Sequence, residues 1–460
     1  MLRLRPRPSR RSSGAWVRTL LPFLGLGALA LTQRGEGQTQ PQPLGTVTPQ
    51  QFSTRPIAVP PFEVEGQETY QTDVLSEVVA NDLYLSGFFH LPRNPEFVRE
   101  VHELDRRTGQ IHFADWFRLG MAYVIKGKYR IEGERLEVEV RAYDATAGTY
   151  IFGKLYPRER YQKNNPREVA HLISDHIVER ITGFPGVAST RLLIVREVSW
   201  SGGSAVKEVF AMDGDGQNMK QLTQDGTLVA TPAWGAHGTE FYYMTYKDFN
   251  TDLAGMFLDG SYGWFISRQP GLNMSPHWSE AKKRIVLTLS KDGNPEIYTM
   301  TREGKDLRRV TYNRAIDGSP VWSPTGDLIA FTSDRNGSRH LYLTDEEGVN
   351  VRRLTQQGGY NDGASWSPSG DRIAYASQDS RGVFQIWTIN SDGTDPRQLT
   401  HGSANCEDPV WAPNGWLLAY TSEETGKKQV FTMFIDGRRI ARLTSGNESF
   451  SAAWSPLSPR

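Results

Sequence analysis

Between Pro56 and Gly183 the apolar residues recur with two alternating periods. Pro56-Ile57-Ala58-Val59-Pro60-Pro61-Phe62 is a short apolar run closed by prolines, the pattern of a strand. Leu75, Val78, Val79 and Leu83 then fall at i, i+3, i+4 and i+8, which predicts an amphipathic helix capped by Thr72 and ended by Gly87. Alternation returns at Ala122–Gly127, Leu136–Arg141 and Tyr150–Gly153, with Gly133 and Gly148 in the turns, and predicts a three-strand meander. A second helix follows: Asn165 caps it, Pro166 takes its first position, Val169, Leu172, Ile173, Ile177 and Ile181 form its stripe, and Gly183 stops it. Two helices on a mixed sheet make a small α/β domain over residues 52–186.

From residue 187 to 460 the pattern becomes a repeat. Trp234, Trp278, Trp322, Trp366, Trp411 and Trp454 stand 44, 44, 44, 45 and 43 residues apart. Four are followed by Ser-Pro or Ala-Pro, as in Trp322-Ser323-Pro324-Thr325-Gly326, so each Trp ends a strand and a tight turn follows. Every unit also carries an Asp-Gly or Glu-Gly turn, and five continue into Gln221-Leu222-Thr223, Arg309-Val310-Thr311, Arg353-Leu354-Thr355, Gln398-Leu399-Thr400 or Arg442-Leu443-Thr444. Four strands recurring at this spacing are propeller blades. The unit from Arg191 to Thr223 lacks a Trp-bearing first strand, while Ala452-Ala453-Trp454-Ser455 has nothing after it. Joined, the two ends complete one blade. The fold class is therefore mainly β: a carboxy-terminal six-bladed β-propeller with a smaller amino-terminal α/β domain.

Composition narrows the chemistry. Lys+Arg and Asp+Glu are equal at 52 each, so no charge asymmetry recommends nucleic acid. Cys406 is the single cysteine, which excludes an internal disulfide framework and any CxxC site. Six arginines between Arg3 and Arg18 lead into the short apolar run Leu20–Ala30, so residues 1–30 read as an export signal and residues 31–51 as an extended, mobile arm. The run is too short for a permanent membrane anchor, and Arg10-Arg11 leaves Sec and twin-arginine export both open. There is no GxSxG elbow and no HExxH motif. His171 and His176, five apart, do not share a helix face and read as helix-surface residues. Asp213–Asn218 lacks the glycine and closing glutamate of a calcium loop and reads as a blade turn. The expectation is no catalytic residue, no cofactor and no metal.

What a propeller offers is its mouth. The segments preceding each Trp read as loops converging on the central channel, and they contain Leu272, Asn273, Met274 and Ser275, then Asp317, Gly318 and Ser319, Asn361 and Asp362, Glu407 and Asp408, and Glu448. They mix carboxylates, amides and apolar tips, as suits a protein-docking ring.

Pro56-Ile57-Ala58-Val59-x-Pro61-Phe62, Leu85-Ser86-Gly87-x-Phe89, Leu119-Gly120, Ile181-Thr182-Gly183, the repeated Trp-Ser-Pro-x-Gly and the terminal Ala453-Trp454-Ser455-Pro456 resemble the TolB family of the periplasmic Tol-Pal envelope system. The resemblance implies a monomeric, non-enzymatic periplasmic adaptor without stable membrane insertion. It would link an inner-membrane TolA-like protein to an outer-membrane Pal-like peptidoglycan-associated lipoprotein and support envelope integrity and constriction during cell division. It assigns Pal docking to the mouth residues above and TolA engagement to the arm, including Thr32, Gln33, Gln38, Thr39 and Gln40. A histidine familiar at this mouth in some members is replaced by Leu272. The alternatives are a relative of propeller-bearing peptidases and a paralogue that binds glycan or another envelope protein.

Overall fold

The computed structural model describes residues 53–70, 72–261 and 263–457. Residues 1–30, read as an export signal, and residues 31–51, read as an arm with Thr32, Gln33, Gln38, Thr39 and Gln40, lie outside the described residues. Among the described residues no helix is long and apolar enough to cross a membrane.

The amino-terminal part is a mixed sheet. Strands β1 (Arg55–Ala58), β2 (Glu63–Val64), β3 (Phe89–His90), β4 (Tyr123–Glu132), β5 (Arg135–Asp144) and β6 (Thr149–Tyr156) run in the order β3-β1-β4-β5-β6, with β2 beside β4. The predicted meander is β4-β5-β6, antiparallel throughout, whereas β1 joins β3 and β4 in parallel. Helix α1 (Val74–Leu85) begins after Asp73 rather than Thr72, and Asp73 makes no side-chain cap. Four helices are described, not two: α2 (Pro95–Thr108) and α3 (Phe113–Arg118) stand between α1 and α4 (Pro166–Thr182). Helix α2 escapes an apolar-period reading because its buried face is Val98, His102 and Asp105, two of them polar. Its ends are conventional, with Asn94 accepting from the Glu96 amide and Gly109 left-handed.

The remainder is six four-stranded antiparallel sheets. In the blade closed by both ends of the repeat, Ser449–Trp454 pairs with Arg191–Ser201, in a register running from Ser449↔Arg196 to Trp454↔Leu192. We number this blade 1 and the others 2 to 6 in chain order. In each blade the inner strand runs down from the mouth, so the loops between second and third strands, and those leading into the next blade, lie on the mouth face. The Trp turns and the Asp-Gly turns lie on the opposite face.

That opposite face carries the α/β part. Phe88 packs on Trp416 and Phe434 of blade 6 with ring centroids 5.8 and 5.6 Å apart, and Phe184 on Trp416 at 4.5 Å. Gly87 sits with φ +76°, and a Cβ there would stand 2.6 Å from Phe434 Cδ2 and 2.9 Å from Ile440 Cδ1. Its glycine is thus required twice, by backbone conformation and by close approach. Among the described residues nothing covers the mouth.

Candidate functional site

The six inner strands line a channel of about 680 Å³, and each carries a bulge at the same place, three residues before its Trp. The residues in the bulge, Thr231, Ser275, Ser319, Gly363, Asp408 and Ser451, all have φ between +48° and +67°. Five of the six are not glycine. Left-handed backbone of this kind costs about 1–2 kcal/mol per residue and persists only where the surroundings over-determine it. Here the ring itself supplies support: the Ser275 amide donates to Thr231 Oγ1 at 3.2 Å, the Ser451 amide to Thr421 Oγ1 at 3.2 Å, and Ser451 Oγ to Asp408 Oδ2 at 3.1 Å. The result is a collar of four hydroxyls interrupted by Gly363 and the Asp408 carboxylate. Burial, with Glu407 adding to it, pushes the Asp408 carboxyl up.

The segments read as loops are corrected by this geometry. The inner strands begin at Asn273, Asp317, Asn361, Cys406 and Ser449, so most of the residues assigned to the mouth loops are strand residues. Three of them turn inward and are wholly buried: Asn273, Asp317 and Asn361. Asn273 accepts from Ser267 Oγ at 2.5 Å and from the Gln269 amide at 3.0 Å, and donates to the Gln269 carbonyl at 2.7 Å. Asp317 accepts from Asn313 Nδ2 at 2.7 Å and Arg335 Nη2 at 2.9 Å, and burial pushes its carboxyl up. Asn361 donates to the Gln357 carbonyl and faces His340 Nδ1, each at 3.0 Å. These side chains staple the blades and present nothing to a partner.

The others remain at the surface or in the channel wall. Leu272 is exposed, its backbone tied to Ser290. Met274, Ser275, Gly318, Ser319, Asp362, Glu407, Asp408 and Glu448 are half-buried. Asp362 accepts from Thr332 Oγ1 of the preceding blade at 2.8 Å, and Glu407 pairs with Lys428 at 3.2 Å. The carboxylates Asp362, Glu407, Asp408 and Glu448 thus occupy blades 5 and 6 and the loop into blade 1. Across the channel, the mouth face of blades 2 to 4 carries exposed Leu228, Tyr246, Phe249, Leu272, Tyr312 and Ile316, with Phe249 88% and Tyr312 72% exposed. Sequence reasoning missed Phe249 and Tyr312; large aromatic residues at turn positions, out of strand register, were the available signal. Exposed apolar side chains and carboxylates around a channel mouth can hold a protein segment by area and by charge together.

A second cluster lies between α1, α4 and the Asp213–Asn218 turn of blade 1. His171, read as a helix-surface residue, is buried there, with Nδ1 2.8 Å from Asp82 Oδ2 and Nε2 3.5 Å from Asp213 Oδ2. The reason is that α4 lies between the sheet and the propeller, so its polar side is an interface. His171, Asp213 and Asp215 bring their ligand-type atoms within 4.8 Å of one another. The Arg167 guanidinium already pairs with Asp215, however, so the set is an ion-pair cluster and not a ligand set.

A family model described as the TolB beta propeller domain matches residues 178–458, and one described as the TolB amino-terminal domain matches residues 46–151. Among curated proteins, the Tol-Pal system protein TolB of Alkalilimnicola ehrlichii is 31% identical over 203 residues, 44% of this chain and 46% of that protein. That of Anaeromyxobacter sp. (strain K) is 33% identical over 230 residues, 50% of this chain and 51% of that protein. The chain thus spans about half the length of the curated relatives it matches. Among solved structures, TolB from Acinetobacter baumannii superposes with a TM-score of 0.76 at 27% identity, covering 88% of this chain and 97% of that one.

Proposed function

The chain belongs to the TolB family, and from that premise we propose that it is a periplasmic, non-enzymatic adaptor of a Tol-Pal-type system. Its propeller mouth docks a Pal-like lipoprotein, and residues 31–51, with Thr32, Gln33, Gln38, Thr39 and Gln40, engage a TolA-like inner-membrane protein. Through these two contacts it supports envelope integrity and constriction at division. One observation carries the reading: the α/β part occupies the turn face of the propeller, and among the described residues the mouth stays open, presenting exposed Leu228, Phe249, Leu272 and Tyr312 together with the half-buried carboxylates Asp362, Glu407 and Glu448. Asn273, Asp317 and Asn361 act beneath that surface by holding the strands that shape it.

The test is capture from envelope extract on the immobilised full chain. Co-purification of a Pal-like lipoprotein, weakened about tenfold or more by Leu272→Arg at unchanged melting temperature, supports the adaptor. No captured lipoprotein, together with a sugar-dependent rise in melting temperature, would instead favour the glycan-binding paralogue, and turnover of a peptide substrate the peptidase relative.

A further inference from the structure

The buried cluster on the turn face plays no part in docking at the mouth. Helix α4 places Arg167 and His171 one turn apart, so both reach the same side of the helix. Opposite them the blade-1 turn presents Asp213 and Asp215. Asn218 Nδ2 donates to Asp213 Oδ2 at 2.7 Å, and the Gln217 amide to Asp215 Oδ1 at 3.0 Å, which hold the two carboxylates in place. Behind His171, Asp82 of α1 accepts from Ser174 Oγ at 2.9 Å on the oxygen that also meets the imidazole. Arg167 pairs with Asp215 and stands 3.6 Å from Asp213 Oδ2. Further along α4, Asp175 is committed to the connecting segment, accepting from the Ala188 amide at 2.7 Å and the Ser189 amide at 3.2 Å.

Two facts of geometry then decide the state of His171. Nδ1 is hydrogen-bonded to Asp82 Oδ2 at 2.8 Å, while Nε2, without a hydrogen-bond partner, stands at ion-pair distance, 3.5 Å, from Asp213 Oδ2. A neutral imidazole has one donor and one acceptor nitrogen, so it would turn a lone pair toward one of those anions; only the imidazolium turns an N–H toward both. The charge balance agrees. Asp82, Asp213 and Asp215 bring three negative charges and Arg167 one positive. With a neutral ring two buried charges stand uncompensated; with the imidazolium one remains, and Asp213, which reaches the surface, is the group best placed to carry it.

We propose that His171 is a proton-operated latch joining the amino-terminal α/β part to the propeller: as imidazolium it ties Asp82 of α1 to Asp213 of blade 1, and loss of the proton releases that tie. Burial alone would push the imidazolium pKa down, but Asp213 and Asp82 outweigh it and raise it to about 10. Burial raises the Asp82 carboxyl to about 6 against the pull of His171 and Ser174. For His171 the folded value lies above the ordinary 6.5, so its contribution is complete below pH 6.5 and is lost as pH rises through about 10. Asp82 also binds its proton more tightly in the folded protein than in the unfolded chain, so at both groups folding favours the protonated form.

The latch is tested on the full chain by two readouts. The first is the imidazole titration of His171 by NMR, assigned by its disappearance in His171→Gln. A midpoint above pH 9, falling by a unit or more in Asp213→Asn, is expected; a midpoint at or below pH 7 overturns the proposal. The second is hydrogen exchange, corrected for intrinsic rates, in α4 and the Asp213–Asn218 turn. Protection in the native chain should fall about tenfold between pH 8 and 10.5, while His171→Gln starts at the low value and does not change with pH. Equal protection at both pH values, or an equal pH dependence in His171→Gln, overturns it. Should His171→Gln fail to fold, Asp213→Asn alters only a half-buried turn residue and serves in both measurements.

Discussion

A threonine hydroxyl ties the third strand to the fourth in five of the six blades. Thr223, Thr311, Thr355, Thr400 and Thr444 accept from the amides of Val209, Ile297, Leu341, Ile386 and Val430 at 2.8–3.0 Å. In blades 1 and 3 the same hydroxyl donates at 2.5 Å to a buried glutamate, Glu208 or Glu296; in blade 6 it donates to Gln429 at 2.7 Å. These are the threonines of the repeated Leu-Thr and Val-Thr pairs. The pairs were legible as punctuation, but their chemistry was not. The partner lies about 15 residues earlier and is Glu, Glu, His or Gln in different blades, so no one residue type repeats with it. Thr311→Val keeps the shape and removes the hydroxyl, leaving the Ile297 amide and one bond of Glu296 unmet. A loss of about 2–3 kcal/mol in urea unfolding is expected. Thr400→Val, with no acid behind it, should cost less. Asp317 teaches the converse: an acidic residue before a Trp looks like a docking group, yet the first position of an inner strand points into the blade. Only the strand boundary, which the sequence blurs, tells the two apart.

Whole elements were legible where their buried face is apolar and illegible where it is not. Helices α1 and α4 show Leu, Val and Ile at helical spacing; α2 buries His102 and Asp105, and no apolar count finds it. Asp105 gathers the His112 amide, Trp116 Nε1 and Lys126 Nζ at 2.8 Å each, and His102 meets Lys126 at 2.9 Å. Burial first, then Lys126, lowers the His102 pKa to about 4. Its folded value lies below the ordinary 6.5, so the unfolded chain binds the proton more tightly, and stability falls as pH drops from 6.5 towards 4. The urea midpoint should therefore decline across that range, and decline less steeply in His102→Gln; an unchanged slope would place the acid sensitivity elsewhere. The end of α1 gives a second expectation. Gly87→Ala forces a left-handed alanine against Phe434 and Ile440 and should lower stability by about 2–3 kcal/mol, read by calorimetry.

At the scale of the molecule, the repeat made the ring legible, and the unequal ends of the repeat made its closure legible too. What the sequence could not display is that closure and the union of the two parts meet at one residue. Trp454 ends the closing strand, and its Nε1 donates to Thr190 Oγ1 at 2.7 Å, in the segment leading from α4 into blade 1. Trp454→Ala should thus cost about 3–5 kcal/mol through packing alone. Removing residues 449–460 is a harsher test. It strips blade 1 of its inner strand, exposes the ladder edge of Arg191–Ser201, and deprives blades 2 and 6 of the neighbour their faces pack against. The truncated chain is expected to lose cooperative melting and to aggregate at concentrations where the full chain stays monodisperse in light scattering. Full-length melting behaviour in the truncated chain would mean that blade 1 stands on three strands, and that the terminal strand caps the ring without holding it shut.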